Sequence, residues 1–350
     1  MDACAFNALT LSEDSINLDE RSCTSCGACV PSCPGGVFSL SNFYPRSFME
    51  AIGGAIEAHI HCGASAANEG DVEIPCHQLL DARLVAAAHA AGSETIHLHG
   101  LGHCTRCDKG SAVAHISSVK TRLSQWFGEA AASRLLVADH KEMAHPHNEP
   151  TLNRRGFLRL AGQGVVASTC SLLIAAEHED TSPANQGFNQ VDVERQQPAV
   201  YQSLLAERAQ ELPWVAGMLP WYRRTISNDC NACLACGQRC PTGALRATQS
   251  AASRGIDFAL ALCTDCGLCD RLCPMEAIAR QPITDAAEVM ARRSTLMSRP
   301  QAMCRQCGSI FVVRSPDEEL CHFCTNEQKI RQGWLSMVRP QMPTSSAGSQ

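Results

Sequence analysis

Three stretches of this 350-residue chain repeat one cysteine spacing, Cys-x2-Cys-x2-Cys-x3-Cys-Pro: "CTSCGACVPSCP", "CNACLACGQRCP" and "CTDCGLCDRLCP". Thiolates three residues apart on a loop can wrap one side of an iron–sulfur cubane. The fourth cysteine, ahead of a proline, points away toward a second cluster. The two C-terminal runs therefore predict a crossed pair. One 4Fe–4S cluster falls to Cys230, Cys233, Cys236 and Cys273, the other to Cys263, Cys266, Cys269 and Cys240. Gly237 and Gly267 suit tight turns in these loops, and Pro241 and Pro274 lead the chain away from them. Zinc, or thiols holding nothing, is the alternative, and two complete runs weigh against it.

The first run supplies Cys23, Cys26, Cys29 and Cys33 but has no partner run. The chain opens "MDACAFNALTL", where Cys4 followed by Ala8 and Leu9 resembles the trailing end of such a run. By the same crossing, Cys4 completes a third 4Fe–4S cluster with Cys23, Cys26 and Cys29. Cys33 is then a ligand for a cluster whose other cysteines would precede Met1, as if the chain began late. The alternative is that Cys33 closes its own cluster and Cys4 is idle.

Two further cysteine groups have different spacing. "CRQCGSIFVVRSPDEELCHFC" sets Cys304, Cys307, Cys321 and Cys324 in two Cys-x2-Cys turns across a predicted hairpin, a four-sulfur site suited to one zinc ion or a rubredoxin-type iron. So small a segment needs metal to fold. His322 is an unneeded fifth candidate, and Asp317, Glu318 and Glu319 argue against nucleic acid. Farther upstream, Cys62, Cys76, Cys104 and Cys107 are scattered in sequence, so only tertiary structure could gather them.

The elements between them predict how. "AHIHC", "DVEIPC", "SETIHLHGLG" and "RLLVADH" read as strands that alternate with helical "HQLLDARLVAAAHAAG" and "SAVAHISSVKTRLSQWFGEAAAS", the pattern of a parallel α/β sheet. Such sheets gather ligands beyond the carboxyl ends of their strands, where these four cysteines fall. His59 and His61, and likewise His97 and His99, share a strand face; with His103 they read as half-buried polar partners, a Rieske-like ligand set being the lesser alternative. Between the ferredoxin runs, "GALRATQSAASRGIDFALALCTDCG" reads as a short helix, a strand, a turn and a strand.

Twenty-two cysteines with a net charge of −6 describe a reduced, metal-loaded chain without a basic footprint for nucleic acid. A disulfide framework would suit a short secreted chain instead. "LNRRGFLRLAGQGVVASTCSLLIAAEHED" carries Arg154–Arg155 ahead of a mild apolar run, like a twin-arginine export signal placed far from the N-terminus. The run from Val165 to Ala176 is too short to span a bilayer, so a linker helix left by gene fusion is favoured over working export. Cys170 within it reads as a core thiol, and the tail after Pro340 is polar enough to be disordered.

Residues 225–285 resemble the two-cluster bacterial-type ferredoxins. "IPCHQLLDARLVAAAHAAGSETIHLHGLGHCTRCDKG" resembles the domain of the delta subunit of methyl-viologen-reducing hydrogenase, although its closing Cys-x2-Cys pair is tighter than that family's. The resemblance implies a 2Fe–2S cluster on Cys62, Cys76, Cys104 and Cys107, with zinc or a degenerate site as alternatives.

The expected fold is α/β plus α+β and multidomain. It comprises a partial ferredoxin-like module (1–45), a parallel α/β domain (51–142), the twin-arginine-like segment and linker (151–197), a two-cluster ferredoxin domain (198–290) and a zinc ribbon (300–335). The expected function is a polyferredoxin-like, non-catalytic subunit. It would relay single electrons from a molybdenum, flavin or hydrogenase-type oxidoreductase to another carrier, in the cytoplasm or at the inner membrane. An assembly factor for a metalloenzyme, or a subunit with a redox-catalytic centre in the middle domain, are the rival readings.

Overall fold

The computed structural model describes residues 3–12, 15–65, 72–138, 198–315 and 317–338. The twin-arginine-like segment, Cys170 and the C-terminal tail lie outside them. Among the described residues no helix is long and apolar enough to cross a membrane.

The chain begins with a small antiparallel hairpin, β1 (Leu9–Leu11) and β2 (Ile16–Leu18). A single helical turn, α1 (Cys29–Ser32), closes the first cysteine loop. Next comes α2 (Pro45–Ile52), started by Pro45 at its first position, where a missing N–H costs nothing.

The middle domain is a four-stranded, all-parallel sheet. Its strands are β3 (Glu57–Cys62), β4 (Val72–Ile74), β5 (Thr95–His99) and β6 (Leu135–Ala138), in spatial order β4-β3-β5-β6. The crossovers run through α3 (Ala82–Ala90) and through α4 (Val113–Phe127) with α5 (Glu129–Ala132). Asp81 starts α3 by accepting the backbone N–H groups of Arg83 and Leu84 at 3.0 and 3.1 Å. The single predicted helix after β5 breaks at Gly128, whose φ of 85° ends α4. Ala58, Ile60, Ile96, Leu98 and Leu135 on one sheet face are buried in the core with Leu84, Val85 and Leu123 of the helices.

Helix α6 (Val200–Glu207) packs on α3, and Tyr201 Oη donates to Leu79 O at 2.8 Å. The ferredoxin part follows: β7 (Tyr222–Ile226), α7 (Ala235–Gln238), β8 (Leu245–Gln249), β9 (Ser253–Phe258), α8 (Leu268–Leu272) and β10 (Ile278–Pro282). β7 pairs with β10 and β8 with β9, both antiparallel. The short helix expected after Gly243 is absent; β8 starts at Leu245, and the helical turn precedes Cys240.

A ten-residue strand, β11 (Ser294–Met303), first pairs with β9 and then forms a hairpin with β12 (Ile310–Val312), which carries the first knuckle. Cys321 and Cys324 flank the start of a long helix, α9 (His322–Val338), rather than forming a second β turn. The C-terminal unit is thus a hairpin and a helix, which departs from the expected two facing turns.

Most buried apolar residues form one continuous cluster from Val30 through the middle domain to Met297. Cys304, Cys321 and Cys324 form a second, small one with Phe311 and Leu320 against them.

Candidate iron–sulfur and metal centres

The three long cysteine runs adopt one backbone solution. In each loop the residue before the second cysteine and the residue after it are left-handed: Ser25 and Gly27, Ala232 and Leu234, Asp265 and Gly267. Left-handed residues beside ordinary ones turn successive backbone N–H groups inward, a concavity common around iron–sulfur clusters. Asp265 and Ala232 hold this conformation without glycine, so the loop geometry is imposed from outside the local sequence.

The fourth-cysteine turns repeat as closely. Three residues after Cys33, Cys240 and Cys273 stand left-handed Gly36, Gly243 and Glu276, and three residues after Cys4 stands left-handed Asn7. In all four turns that residue's N–H donates to the cysteine carbonyl, at 3.2 to 3.3 Å. The Sγ of Cys4 accepts from Ala8 N at 3.3 Å, as Cys273 Sγ does from Ala277 N (3.3 Å) and Cys240 Sγ from Leu245 N (3.4 Å). Cys4 therefore has the local structure of a fourth cysteine, and the β1–β2 hairpin after it parallels β8–β9.

The structure brings the predicted sets together. Cys230, Cys233, Cys236 and Cys273 line one small pocket, walled by Ile226, Leu234, Ile256, Leu272 and Ile278. Cys240, Cys263, Cys266 and Cys269 line a second with Leu245, Phe258 and Arg224. Burial pushes the Cys236 thiol up to about 12, with Cys233, Cys230 and Cys273 adding repulsion. Burial likewise pushes Cys263 up to about 11 and Cys269 up to about 12. Desolvated thiols of like charge need a cationic centre to be held as thiolates, and binding one would release their protons. At the N-terminus, burial raises Cys29, and Cys26, Cys23 and Cys4 reinforce it.

Gly237 was expected to serve a turn. Its φ is ordinary; a Cβ there would lie 2.5 Å from Ala247 N, so it lets α7 approach β8. Gly267 does occupy the left-handed position.

The four middle cysteines also converge. Cys62 ends β3, Cys76 follows β4, and Cys104 and Cys107 lie in and after a 3₁₀ turn beyond β5. Burial pushes the Cys76 thiol up to about 11, and it feels Cys26 as well as Cys62 and Cys104. Cys104 is raised by burial, then by Cys62 and Cys107. A cavity of about 310 Å³ opens among Cys62, Cys104, Cys107, Ser65, His103 and Lys109.

Sulfur separation differs between these sites. Four thiolates at about 2.3 Å from one tetrahedral ion stand about 3.8 Å apart. Cys307 Sγ and Cys321 Sγ lie 3.7 Å apart, and the ligand atoms of Cys304, Cys307, Cys321 and Cys324 all lie within 4.8 Å of one another. No other cysteine trio among the described residues is that tight, which suits a bulkier cluster and not a single ion. Cys321 N donates to Cys304 Sγ at 3.3 Å and, ahead of other backbone donors, lowers that thiol's pKa to about 6.

Sequence reasoning missed Arg224. Its side chain, 1% exposed, lies 2.7 Å from Asp265 and 3.8 Å from Asp270. Burial opposes its charge, but Cys263, Cys269, Asp270 and Asp265 outweigh it and hold the guanidinium above its ordinary pKa. Nε and Nη1 have no hydrogen-bond partner among the described residues, so both are available to a group in the cavity. Tyr-Arg-Arg in a strand distant from either run gave no signal.

Of the histidines expected to be half-buried partners, His59 and His97 are, His61 and His99 are buried, and these four form a ladder on one sheet face, while His103 lies in the 3₁₀ turn after β5. His59 pairs in register with His97, and His61 with His99.

Comparison with known proteins agrees with the first run: residues 16–39 match the 4Fe-4S binding domain family. Over 136 residues, a third of this chain, the sequence is 28% identical to the DNA-directed RNA polymerase subunit Rpo3 of Methanosarcina mazei. The chain spans about half the length of that curated relative. Residues 16–39 are therefore a 4Fe-4S binding domain, which fits an iron–sulfur protein.

Proposed function

We propose that this chain relays single electrons through four adjacent iron–sulfur sites and is braced by one zinc-bearing C-terminal unit. The supporting observation is the order in which the cysteine sets touch. Cys26 of the N-terminal set acts electrostatically on Cys76 of the middle set. Gly27 packs on Leu79, three residues beyond Cys76. On its other side, the Cys33 turn meets the ferredoxin part: Thr264 Oγ1 donates to Pro34 O at 3.0 Å, and Gly35 approaches Pro241. The sets then read, in space, middle, N-terminal, Cys240/Cys263/Cys266/Cys269, and Cys230/Cys233/Cys236/Cys273.

When bound, the clusters supply one-electron carriers whose potentials follow burial and hydrogen bonds to sulfur. The chain's own residues hold and insulate them. Cys4, Cys23, Cys26 and Cys29 would hold the N-terminal 4Fe–4S cluster, and the two crossed sets the others. Cys62, Cys76, Cys104 and Cys107 would hold a smaller 2Fe–2S centre, as the hydrogenase delta-subunit resemblance implies. Ile226, Ile256 and Ile278 exclude water from one ferredoxin site. Cys304, Cys307, Cys321 and Cys324 would hold zinc, folding a unit whose apolar core is otherwise slight. The donor would be a molybdenum, flavin or hydrogenase-type oxidoreductase in the cytoplasm, meeting the chain where a cluster nears its surface.

Anaerobic metal analysis with reductive EPR titration tests this. About 12 iron atoms in cubanes, about 2 more in the middle site and about one zinc are expected, all iron centres reducing reversibly. Similarity to a polymerase subunit favours a second reading, in which the clusters only shape an assembly module. Clusters that cannot be reduced and reoxidised without loss would overturn the relay and leave that reading.

A further inference from the structure

We propose that Glu57, His59 and His97 bind a divalent first-row transition-metal ion on the open face of the middle sheet, apart from every cysteine site. Along β3 and β5 side chains alternate between faces. Ala58, Ile60, Ile96 and Leu98 point into the core. His59 and His97 point the other way and, with Leu136 at 38%, remain partly open among the described residues. A parallel sheet is ordinarily covered on both faces, so a polar ladder here asks for an explanation.

The geometry supplies one. A ligand atom from each of Glu57, His59 and His97 lies within 4.8 Å of the other two. The imidazoles of His59 and His97 stack with centroids 4.5 Å apart and planes 13° from parallel. His59 Nε2 stands 4.0 Å from Glu57 Oε2. Ligands about 2.1 Å from one ion are separated by about 3 to 3.4 Å, so the site closes by no more than about 1.8 Å. Glu57, at the exposed start of β3, can rotate to do so.

Orientation is already built. His59 Nδ1 is 2.9 Å from His99 Nε2, a bond that commits one ring nitrogen and leaves Nε2 facing the carboxylate. Metal-binding histidines ordinarily have the second nitrogen so engaged. His97 Nε2 is buried without a hydrogen-bond partner among the described residues, a desolvated nitrogen for which an ion is a suitable partner. Two imidazoles and one carboxylate leave several coordination positions open, and suit zinc, iron(II) or cobalt(II) over calcium or magnesium.

The test uses the full chain with its clusters assembled, freed of loosely held metal by a mild chelator. Titration with Zn²⁺, followed by calorimetry and metal analysis, should show one equivalent beyond the thiolate unit. His59→Gln and His97→Gln should weaken that equivalent at least about tenfold, and Glu57→Gln similarly. His99→Phe, which removes the orienting bond, should cost about 10- to 100-fold. His115→Gln, on α4, should change nothing. Cluster absorption checks that each variant is folded; if a histidine variant loses its clusters, Glu57→Gln at the surface decides alone. Absence of the extra equivalent, or its survival at full affinity in the folded variants, overturns the proposal.

Discussion

Arg224 should set one ferredoxin cluster apart from the other. Of the two pockets, only the one lined by Cys240, Cys263, Cys266 and Cys269 includes a buried cation. A reduced cluster carries one more negative charge, so a nearby guanidinium favours reduction. At about 6 Å and an effective dielectric of about 20, a unit charge is worth about 3 kcal/mol, or about 120 mV for one electron. Arg224→Gln removes that charge and leaves Asp265 and Asp270 behind, so the midpoint potential of this cluster should fall by about 100 mV. Arg224→Lys keeps the charge but loses the planar donors, and should shift it by less than half as much. EPR-monitored redox titration of the full chain reads both midpoints, and Cys236→Ser, which disturbs the other cavity, assigns them. An Arg224→Gln shift within the scatter of the titration, or one shared equally by both clusters, would refute the electrostatic account. It would show that Asp265, with Arg280 2.6 Å away, neutralises the site by itself.

Two further substitutions probe the joints of the molecule. Cys4→Ser should selectively weaken the N-terminal cluster while Cys33→Ser leaves it occupied, read as the EPR spin count of that centre; the reverse result would make Cys33 the fourth ligand. Tyr201→Phe should lower stability by about 1 kcal/mol in denaturant titration, because Tyr201 donates to Leu79 O from a buried position. Burial raises the Tyr201 pKa, so the phenol remains a donor across the working pH range. No loss of stability would mean that α6 is held on the middle domain by apolar packing alone.

What the sequence revealed divides along the range of the interactions involved. The cysteine sets were legible because cluster binding needs local spacing, and crossing between runs is a fixed consequence of the proline-terminated fourth cysteine. The parallel sheet was legible from alternating strand and helix patterns, and the strand ends then placed Cys62, Cys76, Cys104 and Cys107 together. Gly237 misled because a glycine beside a cysteine suggests a turn, whereas its need comes from Ala247 on another element. The knuckle misled similarly: Cys-x2-Cys spacing fits a β turn or a helical first turn, and the residues after Cys324 decide for the helix. Contacts between segments far apart in the chain left no periodic trace at all. Arg224 reaches Asp265 across 41 residues, and Thr264 reaches Pro34 across 230. The proposed relay would depend on such contacts, because each cysteine set could form within its own module while the order of the sets is fixed only by the faces that meet. Swapping which face the Cys33 turn presents to Pro241 would preserve every motif and break the path. The adjacency of sites, more than their number, is therefore the property of this fold that function would select.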